Sequence, residues 1–304
     1  MVLFKLENKN VKKITEKTFN LEKDIQSLVE NNMEALLGLE FITTEFQVDN
    51  SNLRLDSVAY DKENNAFKII EYKRGRNESL IDQGYTYLNL LFSNKADFVL
   101  KYNEVKNKNL KISDIDWEQS RVVFISQQFT NYQTKANNFK NNPIELIQIK
   151  KYEDNIIELD FIEKNSTTEL PFNEQFNNKI SNVSKQVKVY TEEEHINKTS
   201  DELKEIYYNL KDVLLSWGNI KIDPKKLYVA FKGTTNIVDI VFYRSSLKMS
   251  LNLKYGELDD LKGLAEDVRN IGKWGNGDYR IVIRDDEDFE YILSLIKQSW
   301  KRNK

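Results

Sequence analysis

The spacing of apolar residues along the first half of the chain predicts alternating helices and strands. Residues 20–37 place Leu, Ile, Val and Ala at helical intervals, and Gly38 fits a helix end. Strand-like runs follow at residues 41–46, 53–60 and 66–73. The polar segment 61–65 joins the second and third runs, so we expect an antiparallel hairpin there.

The remaining apolar runs of this half predict the rest of a sheet with flanking helices. A helix is expected from about Glu78 to Phe92. Buried strands are expected at residues 98–100 and 121–126, and a further hairpin at 144–149 and 156–161.

A polar, Asn-rich segment then interrupts the pattern, and we interpret it as a linker. The predicted organisation is therefore a first domain at 1–162, a linker at 163–189 and a second domain at 190–304. For the second domain we expect a helix at 201–217 with Ser200 as its N-cap. The other expected elements are strands at 227–232, 236–243, 247–254 and 279–284, a short helix at 258–264 and a final helix at 287–300.

Composition excludes several kinds of active site. The 304 residues contain no Cys and one His, His195, so thiolate chemistry, His-ligated zinc and catalytic triads are nearly excluded. A metal would need oxygen ligands, which favours Mg²⁺ or Mn²⁺. The net charge of −3 shows no overall basic excess, so nucleic-acid binding would require a local basic patch. We found no transmembrane run or signal-peptide pattern, and we expect a cytoplasmic protein without a membrane partner.

One acid–x–lysine tripeptide stands out by its surroundings. Such tripeptides occur six times in this chain, so Glu71-Tyr72-Lys73 means little by itself. Strand alternation, however, places Glu71 and Lys73 on the face that Phe67 and Ile69 bury. The hairpin turn sets Asp56 across from Glu71. Two carboxylates and one ammonium would meet there, and buried carboxylates repel unless a cation lies between them.

The helix that follows adds two polar groups. Gln83 and Tyr87 are four residues apart and share one helical face. Gly84 has no side chain, so the helix can approach a neighbour closely. The alternative is that Tyr87 packs, Gln83 is solvated and Gly84 is a tolerated cost of about 1 kcal/mol.

The order Asp56, Glu71-Tyr72-Lys73, Gln83-Gly84-Tyr85-Thr86-Tyr87 resembles the PD-(D/E)XK nuclease superfamily, and in particular its RecB-like and NucS-like branches with a QxxxY element. The resemblance covers roughly residues 20–160, and proline is missing from the PD half of the motif. It implies a restriction-endonuclease-like α/β domain with a mixed central sheet flanked by helices. A glutamate near the start of the first helix is also implied: Glu22, with Glu30 as the competing choice.

The resemblance further implies a role for each matching residue. Asp56, Glu71 and Glu22 would hold Mg²⁺ or Mn²⁺, and Lys73 would orient water or stabilise developing charge. Gln83 and Tyr87 would position the site. Arg74 and Arg76 would contact phosphates, with an ordinary solvated turn as the alternative.

The resemblance thus implies a metal-dependent nuclease that acts on nucleic acid, with DNA favoured over RNA and endonucleolytic cleavage over exonucleolytic cleavage, in repair or defence. A homodimer would suit cleavage of both strands. The alternative function is a nucleic-acid-binding or scaffold protein that keeps the fold without activity.

The second domain resembles a C-terminal α+β domain of unknown function that also occurs in GmrSD-type restriction systems and is sometimes labelled a predicted transport protein. It would serve recognition or assembly. We expect His195 to be structural. The expected ligand-contact features are a loop at 273–277 and a basic sheet face formed by Lys232, Arg244, Lys248 and Lys254. Its aromatic residues are expected to be core or sheet-face residues, with base stacking as the alternative.

Overall fold

A mixed seven-stranded sheet forms the centre of the first of two units, Met1–Val189; the second unit is Tyr190–Lys304. The structure is a computed structural model, and it describes residues 2–48, 51–74, 80–139, 141–164, 168, 183, 186–271 and 275–303.

The strands of the first unit are β1 (Leu3–Glu7), β2 (Asn10–Ile14), β3 (Glu16–Lys17), β4 (Glu40–Gln47), β5 (Arg54–Asp61), β6 (Ala66–Lys73), β7 (Arg121–Ser126), β8 (Ile144–Tyr152) and β9 (Ile157–Ile162). Strands β1 and β2 form a separate hairpin. The other strands are ordered β3-β8-β7-β6-β5-β4, with β9 also paired to β8. Strands β6, β7 and β8 run parallel, and the remaining pairs are antiparallel.

Helices cover both faces of this sheet. They are α1 (Glu22–Asn31), α2 (Met33–Leu37), α3 (Leu80–Ser93), α4 (Lys95–Lys106) and α5 (Asn131–Asn137). Short 3-10 helices lie at Ile112–Asp114, Trp117–Gln119 and Glu153–Asn155. Residues of α1 and α2 pack with Ile70 and Tyr72 on one face, whereas α3 and α4 pack with Phe67 and Ile69 on the other. Alternate residues of β6 therefore enter different cores, as the pleat requires.

The predicted hairpin between β5 and β6 is confirmed. Its turn is built by Asp61, whose carboxylate accepts hydrogen bonds from the backbone N–H groups of Glu63 and Asn64. The helix expected at 20–37 is instead two helices. The side chains of Asn31 and Asn32 donate to carbonyls four residues earlier, which is the local competition that ends helices. Gly38 ends α2 in the left-handed region (φ 67°), as expected.

The strand predicted at residues 98–100 is wrong, because these residues lie in helix α4. Phe98 and Val99 are buried, whereas Leu100 is 69% exposed, a pattern that a short apolar run cannot reveal in advance. The described residues of the segment expected as a linker contact the first unit: Val183 is buried in its core and the Lys188 carbonyl accepts from Arg121.

A six-stranded antiparallel sheet forms the second unit in the order β10-β11-β12-β13-β15-β14. Its elements are α6 (Glu192–Ile196), α7 (Asp201–Ser216), β10 (Lys221–Pro224), β11 (Val229–Lys232), β12 (Asn236–Tyr243), β13 (Ser246–Leu251), β14 (Glu266–Asp267), β15 (Tyr279–Ile283) and α8 (Phe289–Asn303). The main core lies between one sheet face and helices α7 and α8. Ser200 caps α7 as predicted, accepting from the N–H of Leu203.

The helix predicted at residues 258–264 is wrong, because this segment forms turns. The Asp260 carboxylate accepts from the N–H groups of Gly263 and Ala265, which satisfies the backbone locally without a helix.

The predicted fold class is confirmed: a mixed sheet flanked by helices is followed by an α+β unit. None of the helices in the described part of the chain combines the length and apolar character needed to cross a lipid bilayer.

Candidate active site at the ends of strands β5 and β6

Asp56 and Glu71 occupy facing positions where strands β5 and β6 separate. The antiparallel register pairs Ser57 with Ile70, and one further step sets Asp56 opposite Glu71. Asp56 turns one carboxylate oxygen, Oδ2, toward the neighbouring strand and accepts the backbone N–H of Tyr72 at 3.0 Å. The Asp56 side chain thus takes the place of a backbone acceptor between β5 and β6, and this hydrogen bond fixes the position of its carboxylate.

The Glu71 carboxylate is buried, and its two oxygens have different surroundings. Oε1 accepts from the Lys73 ammonium at 2.7 Å and from the Gln83 amide at 2.8 Å. Oε2 is buried and has no hydrogen-bond partner among the residues that the structure describes. The amide of Gln83 also lies 2.8 Å from the Tyr87 hydroxyl, which accepts from it. The structure therefore brings three predicted residues together around the Glu71 carboxylate, namely Lys73, Gln83 and Tyr87.

The surroundings of Asp56 and Glu71 disfavour a negative charge on both carboxylates at the same time. Burial raises the pKa of Glu71, and the nearby Asp56 charge raises it further, while Lys73 and Gln83 act in the opposite direction. Burial also raises the pKa of Asp56, against the lowering effects of the Tyr72 N–H and Lys73. Burial, followed by the charge of Glu71, raises the pKa of Tyr87 to about 12, so its hydroxyl keeps its proton at neutral pH.

Glu22 and Glu30, the two glutamates weighed on helix α1, have different positions. Glu22 lies in the first turn, accepts the backbone N–H of Arg74 at 2.8 Å and contributes to raising the pKa of Asp56. Glu30 instead accepts from Ser57 at 2.6 Å and from Gln26 at 2.9 Å. Glu22 is therefore the glutamate beside Asp56, and Glu30 belongs to a polar network with Ser57.

Gln26 supports Asp56 through the backbone, and the sequence analysis missed it. Its side chain is 6% exposed, and its amide donates to the Asp56 carbonyl at 3.0 Å, to Thr44 at 2.9 Å and to Glu30. The neighbouring strand residue, Glu45, has a φ of 48°, so the strand is irregular beside Asp56. A polar residue beside Ile25 in the buried stripe of α1 was the available signal.

Gly84 allows helix α3 to pack closely against the sheet. A Cβ atom at this position would lie 2.5 Å from Cδ1 and 2.9 Å from Cγ1 of Ile144, and 3.4 Å from Phe124. This close approach is what the sequence analysis expected of Gly84. It brings the neighbouring Gln83 to the strand end that carries Glu71.

No group of three Asp, Glu or His side chains that could jointly hold a metal occurs among the residues that the structure describes. Glu22 therefore does not join Asp56 and Glu71 in such a group. Its Oε1 instead accepts the backbone N–H of Arg74. The Arg74 side chain is exposed, and Arg76 lies outside the described residues.

In the second unit the buried Asp239 carboxylate accepts hydrogen bonds from the side chains of Asn236 and Asn276 and from the backbone N–H of Asn276. His195 is 1% exposed and its Nε2 lies 2.7 Å from the Lys225 carbonyl, a structural position. Phe231 and Phe242 belong to the core, as expected. On the face away from the main core, Lys248 lies over the Tyr243 ring at 4.6 Å. The expected loop at 273–277 falls partly outside the described residues.

Comparison with known proteins gives a family but no activity. A Haemophilus influenzae protein is 43% identical over 303 residues, which cover 99% of this chain and 100% of that protein. The chain belongs to the same family. That relative is named only as an uncharacterized protein. Residues 192–303 match the model of a domain of unknown function, DUF5655, which confirms the expected C-terminal domain of this kind.

Two solved structures are distantly similar to this chain. A repair endonuclease from Pyrococcus abyssi shares 16% identity, with 44% of this chain and 49% of that chain covered and a TM-score of 0.27. An EndoMS–dsDNA complex shares 14% identity, with 45% and 59% covered and a TM-score of 0.27. The chain thus spans about half to three-fifths of these proteins, and similarities this low carry no argument about its activity.

Proposed function

We propose that the first unit is a metal-dependent nuclease that hydrolyses phosphodiester bonds, with its active site at Asp56, Glu71 and Lys73. The observation that carries this proposal is Oε2 of Glu71, a buried carboxylate oxygen without a partner in the described chain. Leaving a buried acceptor unpaired costs about 1–3 kcal/mol. A bound metal cation would offset that cost, because Oε2 would then coordinate a positive charge.

The donor set fits Mg²⁺ or Mn²⁺. Both ions prefer oxygen ligands, and Mg²⁺ is often held by one or two carboxylates together with waters and substrate phosphates. Asp56 and Glu71 would supply the two carboxylates, and Glu22 would act through water, since it already accepts from Arg74. When bound, the ion would lower the pKa of a coordinated water and neutralise phosphate charge.

The surrounding residues would prepare the site for this chemistry. Lys73 would place an ammonium beside the scissile phosphate, where charge develops during hydrolysis. Gln83 holds Glu71 and is itself held close to Tyr87, so both would fix the direction of the Glu71 carboxylate. Gln26 would fix the backbone of Asp56, because its side-chain amide donates to the Asp56 carbonyl.

DNA is the proposed substrate, with endonucleolytic cleavage and a role in repair or defence, on the ground of the sequence resemblance. Arg74, exposed at the end of β6, would contact a phosphate close to the cleaved bond. The second unit would serve recognition or assembly.

A cleavage assay tests the proposal. Full-length protein is incubated with Mg²⁺ or EDTA and with single-stranded, duplex, branched and modified-base DNA, and with RNA. We expect Mg²⁺-dependent cleavage of at least one DNA, and its loss in Asp56→Ala and Lys73→Ala. Cleavage that survives both substitutions, or that is unaffected by EDTA, would refute the assignment. DNA binding without any cleavage would favour the alternative, a binding protein with an inactive fold.

A further inference from the structure

The β1–β2 hairpin has two different faces. Its turn places Asn8 and Lys9 at φ 48° and 71°, as a two-residue turn with a matching twist requires. On the inner face, Ile14 is 8% exposed and Lys5 forms an ion pair of 3.0 Å with Asp154, which attaches the hairpin to the first unit. The outer face is apolar and exposed.

Four large apolar side chains form this outer face: Val2, Phe4, Leu6 and Val11, which are 57–73% exposed. The register pairs Leu6 with Val11 and Phe4 with Lys13, so these residues lie side by side. A two-stranded hairpin is marginally stable alone in water, and this one hydrogen-bonds as a strand pair to nothing else in the described chain. Such a face indicates a binding partner.

The charges of the hairpin favour an anionic partner. Residues 2–14 contain four Lys and one Glu, in a chain whose net charge is −3. Glu7 is already paired with Lys5, whereas Lys9 and Lys13 form no ion pair within the described residues. Lys9 lies at the tip and Lys13 on the outer face. The hairpin is thus a local basic patch with an apolar centre, the kind of patch that nucleic-acid binding would require in this protein.

We propose that this hairpin, residues 2–14, docks on the nucleic-acid substrate. Lys9 and Lys13 contact backbone phosphates, and Phe4 and Leu6 pack against sugars or bases. The choice of partner rests on the proposed nuclease function. A second copy of the chain fits less well, because pairing two outer faces would bring the Lys13 side chains of both copies into the same apolar interface. A two-stranded ribbon is also narrow enough to enter a groove of duplex DNA.

The test is a binding measurement in EDTA, so that it does not depend on cleavage. Fluorescence anisotropy of labelled duplex and single-stranded DNA is followed from about 50 to about 200 mM NaCl. Each phosphate contact contributes about 0.9 to the slope of log K against log salt for a duplex, and about 0.7 for a single strand. We expect the Lys9→Ser/Lys13→Ser variant to lose about 2 from the duplex slope, or about 1.4 from the single-strand slope.

The matched control is Lys108→Ser/Lys111→Ser, which removes two exposed lysines from another loop of the same unit. We expect its slope to stay within about 0.5 of wild type. A second variant, Leu6→Ser, tests the apolar centre without changing the charge of the hairpin, and we expect it to weaken binding at high salt.

Three results would overturn the inference. The first is a hairpin variant that binds DNA with the wild-type slope. The second is a wild-type dimer in sedimentation that Leu6→Ser converts to monomer without any change in DNA affinity. The third is capture by phosphatidylglycerol vesicles that depends on Lys9 and Lys13 while DNA affinity does not. Failure of cleavage with normal hairpin-dependent binding would refute only the proposed catalysis.

Discussion

Replacing Glu71 with glutamine changes one atom of the site and removes its charge. In Glu71→Gln the oxygen that accepts from Lys73 and Gln83 is kept, and an NH₂ group replaces the oxygen that has no hydrogen-bond partner in the described chain. We expect this variant to be more stable than wild type without metal, and to lose its response to Mg²⁺. A residue that stabilised the fold would show the opposite behaviour.

The expected magnitude combines two opposing effects. Removing the negative charge relieves the cost of burying it beside the Asp56 charge, whereas the hydrogen bonds from Lys73 and Gln83 weaken when the acceptor loses its charge. Because the pKa of Glu71 is raised in the folded protein, the charged form is the disfavoured one, so the net effect is stabilising. We expect about 1 kcal/mol, which corresponds to an increase in Tm of about 2–4 °C for a unit of this size.

The same pKa direction fixes the pH dependence. A raised folded-state pKa contributes stability below the ordinary value of 4.5, and this contribution is lost as the pH rises through the folded-state value. Metal-free wild type should therefore lose stability relative to Glu71→Gln as the pH rises from 4 toward 7. Mg²⁺ at about 100 times its Kd should restore about 2.7 kcal/mol to wild type alone.

The assay is thermal unfolding of the full chain by circular dichroism, in EDTA and in Mg²⁺, across this pH range. Glu34→Gln, an exposed charge on helix α2, is the control for loss of an acidic residue. The reasoning fails if Glu71→Gln lowers Tm in EDTA, or if Mg²⁺ raises the Tm of both proteins equally.

Three further predictions concern single positions. Lys73→Met keeps the packing and should lower the cleavage rate by about 100-fold or more, with a smaller effect on apparent Mg²⁺ affinity, measured by titrating the metal in the cleavage assay. Gln26→Leu removes the 3.0 Å hydrogen bond to the Asp56 carbonyl and leaves the longer 3.5 Å one from the Thr44 hydroxyl, so it should cost about 1–3 kcal/mol in urea unfolding, with weaker Mg²⁺ binding by calorimetry. Gly84→Ala should destabilise by about 1 kcal/mol, because overpacking against Ile144 exceeds the gain in helix propensity; adding Ile144→Val removes the closest atom and should recover stability.

Each of these predictions has a control and a contradicting result. Lys101→Met, at a surface ion pair, should leave cleavage unchanged, and equal losses in both lysine variants would contradict a special role for Lys73. Gln47→Leu, an exposed amide, should cost less than Gln26→Leu, and a reversed order would disprove the support given to Asp56. A Gly84→Ala variant as stable as wild type would contradict the third prediction, because it would show that helix α3 can move away from Ile144.

The parts of the site that depend on residues close together in the sequence were predictable. Strand alternation and the short turn at 61–65 fix which face Glu71 and Asp56 share, and helical spacing joins Gln83 to Tyr87. The choice between Glu22 and Glu30 was not predictable, because both lie on one helix and only packing sets which end meets the strand. Gln26 was missed for the same reason: its partner is a carbonyl 30 residues away.

The fold was predictable where periodicity is strong and long. Strands β6, β7 and β12 match the expected runs, since apolar residues fill a pleated, buried surface. Residues 98–100 were misassigned because three apolar residues fit a strand or a helix equally well, and only burial against Tyr102 and its neighbours selects helix α4. The β1–β2 hairpin was not predicted, although Phe4 and Leu6 alternate with Lys5 and Glu7 as in a strand with one apolar face.

The most direct test of the active site is a crystal structure of the protein soaked in Mn²⁺, with anomalous scattering used to locate the ion. The account predicts a peak about 2.1 Å from Oε2 of Glu71, shared with a carboxylate oxygen of Asp56. The peak should be absent from Glu71→Gln crystals soaked in the same way. An ion bound elsewhere, with Oε2 of Glu71 still without a ligand, would contradict the account.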